Sequence, residues 1–349
     1  MNKQGRARAS AVALKRGLLG FAMLAPLALG SFAPAHAADI SCTGRDMFED
    51  AARHPDALHR AEAGRRDQIS NGRNLLWRID KPNVASSYLF GTIHSTDDRA
   101  VALARQAAAY AAKARVVATE LAGLTDDNSR AELAGQMFAR ALSAEDDTLA
   151  SAVSPAEHAE IDRFLEKRGL QAEMAHHMRP WFLAAMTGIP ACEAERQERK
   201  MPEVDAIIAQ AGEEHGAKTI GLETAEEQTD ALAAIAPSLA ARILLSSARR
   251  PDMDADVYAT MLGRYAVKQP AEVLPVVDAV GSLSDDERKA QDEFSALLVD
   301  KRNAVMADRV APLLADGNVF IAVGALHLVG KDGLVERIRR QGYQVTAVW

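Results

Sequence analysis

The sequence predicts an α/β fold: a central mixed, mostly parallel sheet flanked by helices, with a large helical insertion between its β-rich ends. Three observations carry that expectation. Val319-Phe-Ile-Ala-Val323 is a continuous apolar run, partly β-branched, closed by Gly324, which suits a strand covered on both faces. Ser87-Tyr-Leu-Phe90 stops in the same way at Gly91, and a histidine follows each glycine by three positions, His94 and His327. From about residue 121 to 200, and again from about 224 to 316, the pattern is helical with no strand signal.

Taken in order, the chain opens with basic residues Lys3, Arg6, Arg8, Lys15 and Arg16, an apolar stretch from Leu18 to Leu29, and Ala35-His36-Ala37. That succession reads as an export signal over 1–37, cut after Ala37, because the apolar stretch is too short for a bilayer-spanning helix. A single mature domain over 38–349 is expected, periplasmic or secreted, with no stable membrane insertion. Removing the leader leaves 36 basic against 48 acidic residues, a net charge of −12. Such an acidic surface argues against nucleic acid and anionic membranes as partners. Export also places Cys42 and Cys192 in an oxidising compartment, where they are expected to pair as a disulfide.

Asp46 to Ala63 reads as a polar helix. Asn74 to Ile79 and Ser87 to Phe90 form a hairpin about the Lys81-Pro-Asn83 turn. Thr96 is the expected N-cap of an alanine-rich helix to about Lys113, and Arg115-Val-Val-Ala-Thr119 then returns as a buried strand ending at Glu120. Ser154-Pro-Ala-Glu157 and Ser284-Asp-Asp-Glu287 are capping boxes that start helices. His158, His176 and His177 are read as surface or packing residues, since neighbouring helical positions point about 100° apart. Glu203 to Glu214 is a helix, and Ala217 to Glu223 is a strand that ends in a second carboxylate. Arg302, Met306 and Arg309 share a helical face just before the closing strand. A short helix from Gly333 to Arg340 and a last strand from Tyr343 to Trp349 complete the chain.

In open α/β sheets, ligands bind at the carboxyl edge of the strands. Four strands deliver His94, Glu120, Glu223 and His327 there, and Arg302 adds a cation. No His-Glu-x-x-His, Gly-x-Ser-x-Gly or Cys-x-x-Cys is present, and Gly324 to Lys331 departs from a P-loop in spacing. Two imidazoles with carboxylates suit a divalent metal such as zinc, manganese or cobalt, with room for an activated water. Each histidine could instead be hydrogen-bonded structure, and each glutamate a helix cap or ion-pair partner.

The chain resembles the TraB/GumN family, whose relatives include the Tiki metalloproteases. The resemblance rests on Leu76-Trp-Arg, Leu89-Phe-Gly-Thr-Ile-His94, Thr119-Glu-Leu121, Arg179-Pro-Trp181, Cys192, Val204-Asp205, Gly221-Leu-Glu-Thr with Gln228, Arg302-Asn303 with Met306, and Val323-Gly-Ala-Leu-His-Leu with Gly330 and Gly333-Leu334. It implies a metal held by His94, His327 and Glu120, with Glu120, Arg302 and Glu223 as catalytic residues, Arg302 facing the charge on a substrate oxygen. Pro202-Glu-Val-Asp205 departs from the pattern, where glycine is usual before Val-Asp, and no site role is assigned to Asp205. The implied function is metal-dependent hydrolysis of a peptide or small acyl substrate. Two alternatives stand beside it. One is a non-catalytic metal- or haem-binding accessory protein linked to polysaccharide production, given a distant likeness to ChaN-like proteins. The other is a metal-independent hydrolase using histidine and glutamate, as a remoter likeness to erythromycin esterase allows.

Overall fold

The computed structural model describes residues 40–53, 69–143, 148–273 and 284–349. The expected export signal over 1–37 and the second half of the Asp46–Ala63 helix lie outside the described residues. What is described of that helix runs from Met47 to Arg53.

Among the described residues, six strands form one mixed sheet: β1 (Leu76–Lys81), β2 (Val84–Thr92), β3 (Val116–Thr119), β4 (Lys218–Gly221), β5 (Val319–Gly324) and β6 (Gln344–Ala347), in the order β4-β3-β5-β2-β1-β6. β4, β3, β5 and β2 run parallel, whereas β1 pairs antiparallel with both β2 and β6. The hairpin closes over Pro82-Asn83, with Asn83 at φ 63°, a left-handed conformation that asparagine tolerates. β5 lies between β2 and β3, so the chain leaves the sheet after β2 and β3 and returns to its centre only after the helical segments.

The uninterrupted apolarity of β5 has the cause expected of it. Val319, Ile321 and Val323 pack with Met306, Val310, Leu314, Leu334 and Ile338 from helices Lys301–Asp316 and Leu334–Arg340. Phe320 and Ala322 face the other way, onto Ala104, Ala107, Ile208 and Tyr265 from helices Asp98–Ala111, Val204–Glu214 and Pro251–Ala266. A second core, around Ile161, Leu165, Phe182, Leu183, Leu239 and Leu244, lies among the helices away from the sheet strands. Among the described residues, no single helix is long and apolar enough to cross a membrane.

Two local expectations shift. The helix expected to start at Thr96 is capped by Asp97, whose carboxylate accepts from Arg99 N. Thr96 turns inward instead and donates its backbone N–H to the buried Glu193 carboxylate at 2.8 Å. The last strand is also shorter than Tyr343–Trp349: its regular register on β1 covers Gln344–Ala347, while Val348 and Trp349 bond irregularly to Leu76 at the start of β1. Cys42 and Cys192 are disulfide-bonded across 150 positions of sequence, as expected.

Candidate functional site

Parallel register sets the site. Thr92 pairs with Gly324, Thr119 with Ala322 and Thr119 with Gly221, so β2, β3, β5 and β4 all end at one edge. Beyond β3 and β4 the ladder continues, with Leu222 N donating to Thr119 O and Glu223 N to Glu120 O, both at 2.8 Å. Those bonds bring two glutamates side by side. Both are buried, and such a pair is tolerated only with a cation. Arg302 supplies it. Its Nη2 donates to Glu120 Oε2 at 2.7 Å and Glu223 Oε2 at 2.5 Å, its Nε to Glu223 Oε1 at 2.9 Å, and its Nη1 to Leu298 O at 3.0 Å. Leu298 belongs to a π-helical turn, Ala296–Asp300, that runs directly into the helix carrying Arg302. Gln228 Nε2 adds a bond to Glu120 Oε2 at 3.1 Å.

Arg302, expected to face a substrate oxygen, directs its Nε and Nη2 to Glu120 and Glu223 and one Nη1–H to the Leu298 carbonyl. Glu223 is held on Arg302, with 3% of its side chain exposed.

Glu120 keeps Oε1 for the other side of the site. It accepts from Gly324 N at 2.7 Å and lies 3.6 Å from His327 Nε2. A Cβ built on Gly324 would stand 3.2 Å from Glu120 Oε1, so any side chain there would press on the carboxylate. Burial works against the Glu120 charge, but His327, Arg302, His94 and the Gly324 N–H overcome it and hold the carboxyl at about 2. Burial pushes His327 below its ordinary value, helped by Arg302 and His94 and opposed by Glu120 and Glu223. Glu120 is therefore the ionised member of the pair, since Arg302 and Gly324 N–H stabilise its charge when the imidazole is neutral.

Asn303 decides the tautomer of His327. Its Nδ2 donates to Asp332 O at 3.2 Å, which turns Oδ1 toward His327 Nδ1 at 2.8 Å. Nδ1 must then carry the proton, and Nε2 presents a lone pair toward Glu120.

His94 differs from His327 although both follow a strand by the same spacing. It lines a cleft of ≈ 120 Å³ together with Glu120, Leu121, Arg130, Met137, Glu203 and Asp205 among others. Its Nδ1 lies 3.2 Å from Asp205 Oδ2. Desolvation disfavours its charge, but Asp205, Glu120 and Glu203 outweigh this and push the ring up to about 10. Water in the cleft reaches 55% of the side chain and screens that attraction. Glu203, desolvated and beside Asp205 and Glu193, is raised to about 7, against the pull of His94 and Arg130.

Glu120, Glu223, Arg302 and His327 are thus brought into one contact network, with His94 facing it across the cleft. Among the described residues, the donor atoms of His94, Glu120 and His327 do not all close to within 4.8 Å of one another. The set that does is His158, Asp162 and His176, whose two histidines are among those expected as surface or packing residues.

Residues 75–347 match the TraB/PrgY/gumN family. The chain belongs to the TraB/PrgY/gumN family. The matched span includes all six strands and every residue of the edge network. The chain is also similar to metalloprotease TIKI2 of Danio rerio, 29% identical over 175 residues, which is 44% of this chain and 34% of that protein. It therefore spans about a third of the length of that curated relative. No solved structure matches.

Within this TraB/PrgY/gumN chain, Asp205, Asn303, Gln228 and Glu203 join the site without having been assigned a role from sequence. Asp205 was set aside because proline and glutamate replace the usual glycine before Val-Asp. The structure nonetheless places it, 5% exposed, against His94. Asn303 follows Arg302 directly, and a step of about 100° around the helix turns the two side chains to different partners.

Proposed function

We propose that this TraB/PrgY/gumN protein is an exported, metal-dependent hydrolase acting on a peptide or another acyl bond. The observation that carries the reading is the 3.6 Å separation of His327 Nε2 and Glu120 Oε1. Both atoms present lone pairs, so neither donates to the other, and 3.6 Å is too long for a hydrogen bond in any case. It approaches the separation of about 3.3 Å that two ligands at 2.0–2.1 Å have around a tetrahedral ion. The donor set fits a borderline divalent cation, zinc, manganese or cobalt. His94 would be the third ligand: its Nδ1 stands 3.2 Å from Asp205 Oδ2, the carboxylate–histidine arrangement usual behind metal-bound imidazoles, and the metal would displace the Nε2 proton that the neighbouring carboxylates otherwise keep on the ring. Asn303 plays that part for His327.

When bound, the metal would supply Lewis acidity and a water of lowered pKa. Glu120, ionised and held by Arg302 and Gly324 N–H, orients that water or shares the ligation. Arg302 and Glu223 keep Glu120 in place. Glu203, poised near neutral pH at the cleft wall, can pass a proton to the leaving group. Leu121, Leu124, Met137 and Leu232 give the cleft an apolar wall for a side chain or acyl group, with Arg130 as its polar handle. The disulfide supports an extracytoplasmic location, and the sheet with its helical cover is proposed to act as one domain from residue 38 onward.

The His94–Asp205 contact also favours a second reading, a metal-independent hydrolase in which His94 is the general base held by Asp205. Elemental analysis and hydrolysis of peptide and ester libraries before and after chelation separate the two. Stoichiometric metal and hydrolysis lost on chelation, both abolished by His327→Ala, support the metal reading. Chelator-insensitive hydrolysis lost in His94→Ala and Asp205→Asn would replace it. Absence of hydrolysis under both conditions would remove the enzymatic reading.

A further inference from the structure

The helical region carries a second constellation that the sheet-edge site does not use. His158 and Asp162 stand four positions apart on helix Pro155–Lys167, which puts them on one face. His176 caps the next short helix, Ala172–Ala175, and reaches back across the turn. His158 Nδ1 lies 3.1 Å from Asp162 Oδ2, and His176 Nε2 lies 3.2 Å from Asp162 Oδ1. The two imidazole rings stand 5.0 Å apart, centroid to centroid. One donor atom from each residue lies within 4.8 Å of the other two, with every side chain partly buried.

We propose that His158, Asp162 and His176 form a second metal site, specific for a divalent first-row transition ion such as zinc. Two imidazoles and one carboxylate are the donor set that such ions prefer over calcium or magnesium, which take oxygen ligands. The contacts of 3.1 and 3.2 Å, one to each Asp162 oxygen, lie near the separation of about 3.3 Å between ligands of a tetrahedral ion. The three donor atoms, all within 4.8 Å of one another, would close onto an ion as the rings turn toward one carboxylate oxygen. Three protein ligands leave one position for water.

The location gives the site a consequence. The segment just after His176 is tied to the end of helix Asp127–Ala141: Ser143 N donates to His177 O at 2.9 Å, Arg179 N donates to Ala141 O at 2.8 Å, and Leu142 bridges to Met178. That helix carries Arg130 and Met137 into the cleft. An ion joining Pro155–Lys167 to His176 therefore stiffens the backbone on which one cleft wall hangs. The site stands whether or not the sheet edge holds a metal or catalyses hydrolysis.

Zinc and cobalt binding to the mature chain tests this, in a His94→Ala/Glu120→Gln/His327→Ala background so that none of the proposed sheet-edge ligands remains. One equivalent of zinc by calorimetry, and cobalt absorption of tetrahedral intensity, are expected. His176→Ala should weaken zinc binding by at least ~100-fold, since loss of a mere outer-shell partner already costs about 10–100-fold. Asp162→Asn, which keeps a hydrogen-bonding side chain and so guards against misfolding, should do likewise, with unchanged far-ultraviolet circular dichroism. No bound equivalent in that background, or an equivalent that survives His176→Ala, would overturn the site. Asp162 would then simply accept hydrogen bonds from two imidazoles. Failure of the sheet-edge reading shows separately, as hydrolysis unaffected by His327→Ala in the otherwise native chain.

Discussion

Arg302→Met should destabilise the fold by about 3–5 kcal/mol at pH 8, and by distinctly less at pH 5. The guanidinium is 2.7 Å from Glu120 and 2.5 Å from Glu223, with side-chain exposures of 16%, 9% and 3%. Taking away one partner of a buried ionic cluster costs about that much, because the uncompensated charge stays in a poorly solvated place. With an unfolding entropy of about 2.1 cal/mol/K per residue and on the order of 300 residues, the melting temperature should fall by about 5–8 °C at pH 8. The pH dependence has a definite sign. In the wild type, Glu120 is held at about 2, below its unfolded value, so its stabilising charge is fully present above pH ~4.5 and lost only as pH falls toward 2. Without Arg302, the folded pair takes up a proton above the unfolded glutamate value of about 4.3, and acidification from pH 8 to 5 restores stability. The gap between variant and wild type must therefore narrow toward acid. Calorimetric melts at pH 8, 6.5 and 5 read this directly. A deficit under about 1 kcal/mol at pH 8, or an equal deficit at pH 8 and pH 5, would refute the account of Arg302 as the clamp on two buried carboxylates. Adding Glu223→Gln to Arg302→Met should recover part of the loss.

Asn303→Leu removes the acceptor that fixes the His327 tautomer. It should lower metal affinity and kcat/KM by about 10–100-fold, with Asn303→Asp closer to wild type; unchanged metal affinity in the leucine variant would exclude the orienting role. Glu203, raised to about 7, should produce one limb of the pH–rate profile between pH 6 and 8, and Glu203→Gln should flatten that limb. If the limb persists unchanged in the glutamine variant, another group titrates there. Replacing Cys42 and Cys192 by serine should cost about 3–5 kcal/mol, because the bond closes a loop of about 150 residues in the unfolded chain. Thiol labelling of the denatured, unreduced protein should give no reactive cysteine, and two labelled thiols would show the bridge to be absent.

Much of the scaffold was legible in the sequence. The apolar run at Val319–Val323 announced a strand with cover on both faces, because every one of its residues must be dry whichever way it points. The Ser154 and Ser284 capping boxes marked their helix starts, since that motif is local and needs no tertiary partner. Thr96 was misread as a cap because the choice between it and Asp97 depends on Glu193, nearly a hundred positions away, which draws the Thr96 N–H inward.

The sequence by itself determined which chemical groups stand at the strand ends: His94, Glu120, Glu223 and His327. Strand termini follow from local apolar patterning, and parallel pairing aligns them at one edge. Only the tertiary structure decided what each group does there. Two Gly-x-x-His units with the same local pattern end in opposite surroundings, His327 buried against Asn303 and Glu120, His94 open to the cleft against Asp205. Arg302 reaches Glu120 and Glu223 because two carboxylates brought together by the β3–β4 ladder cannot stay buried without a cation. His158 and His176 looked unrelated at 18 positions apart until the turn between their helices folded both onto Asp162. Charge balance, burial and tautomer depend on which groups meet in space, and those meetings span up to about 200 positions of chain, beyond the reach of any local pattern.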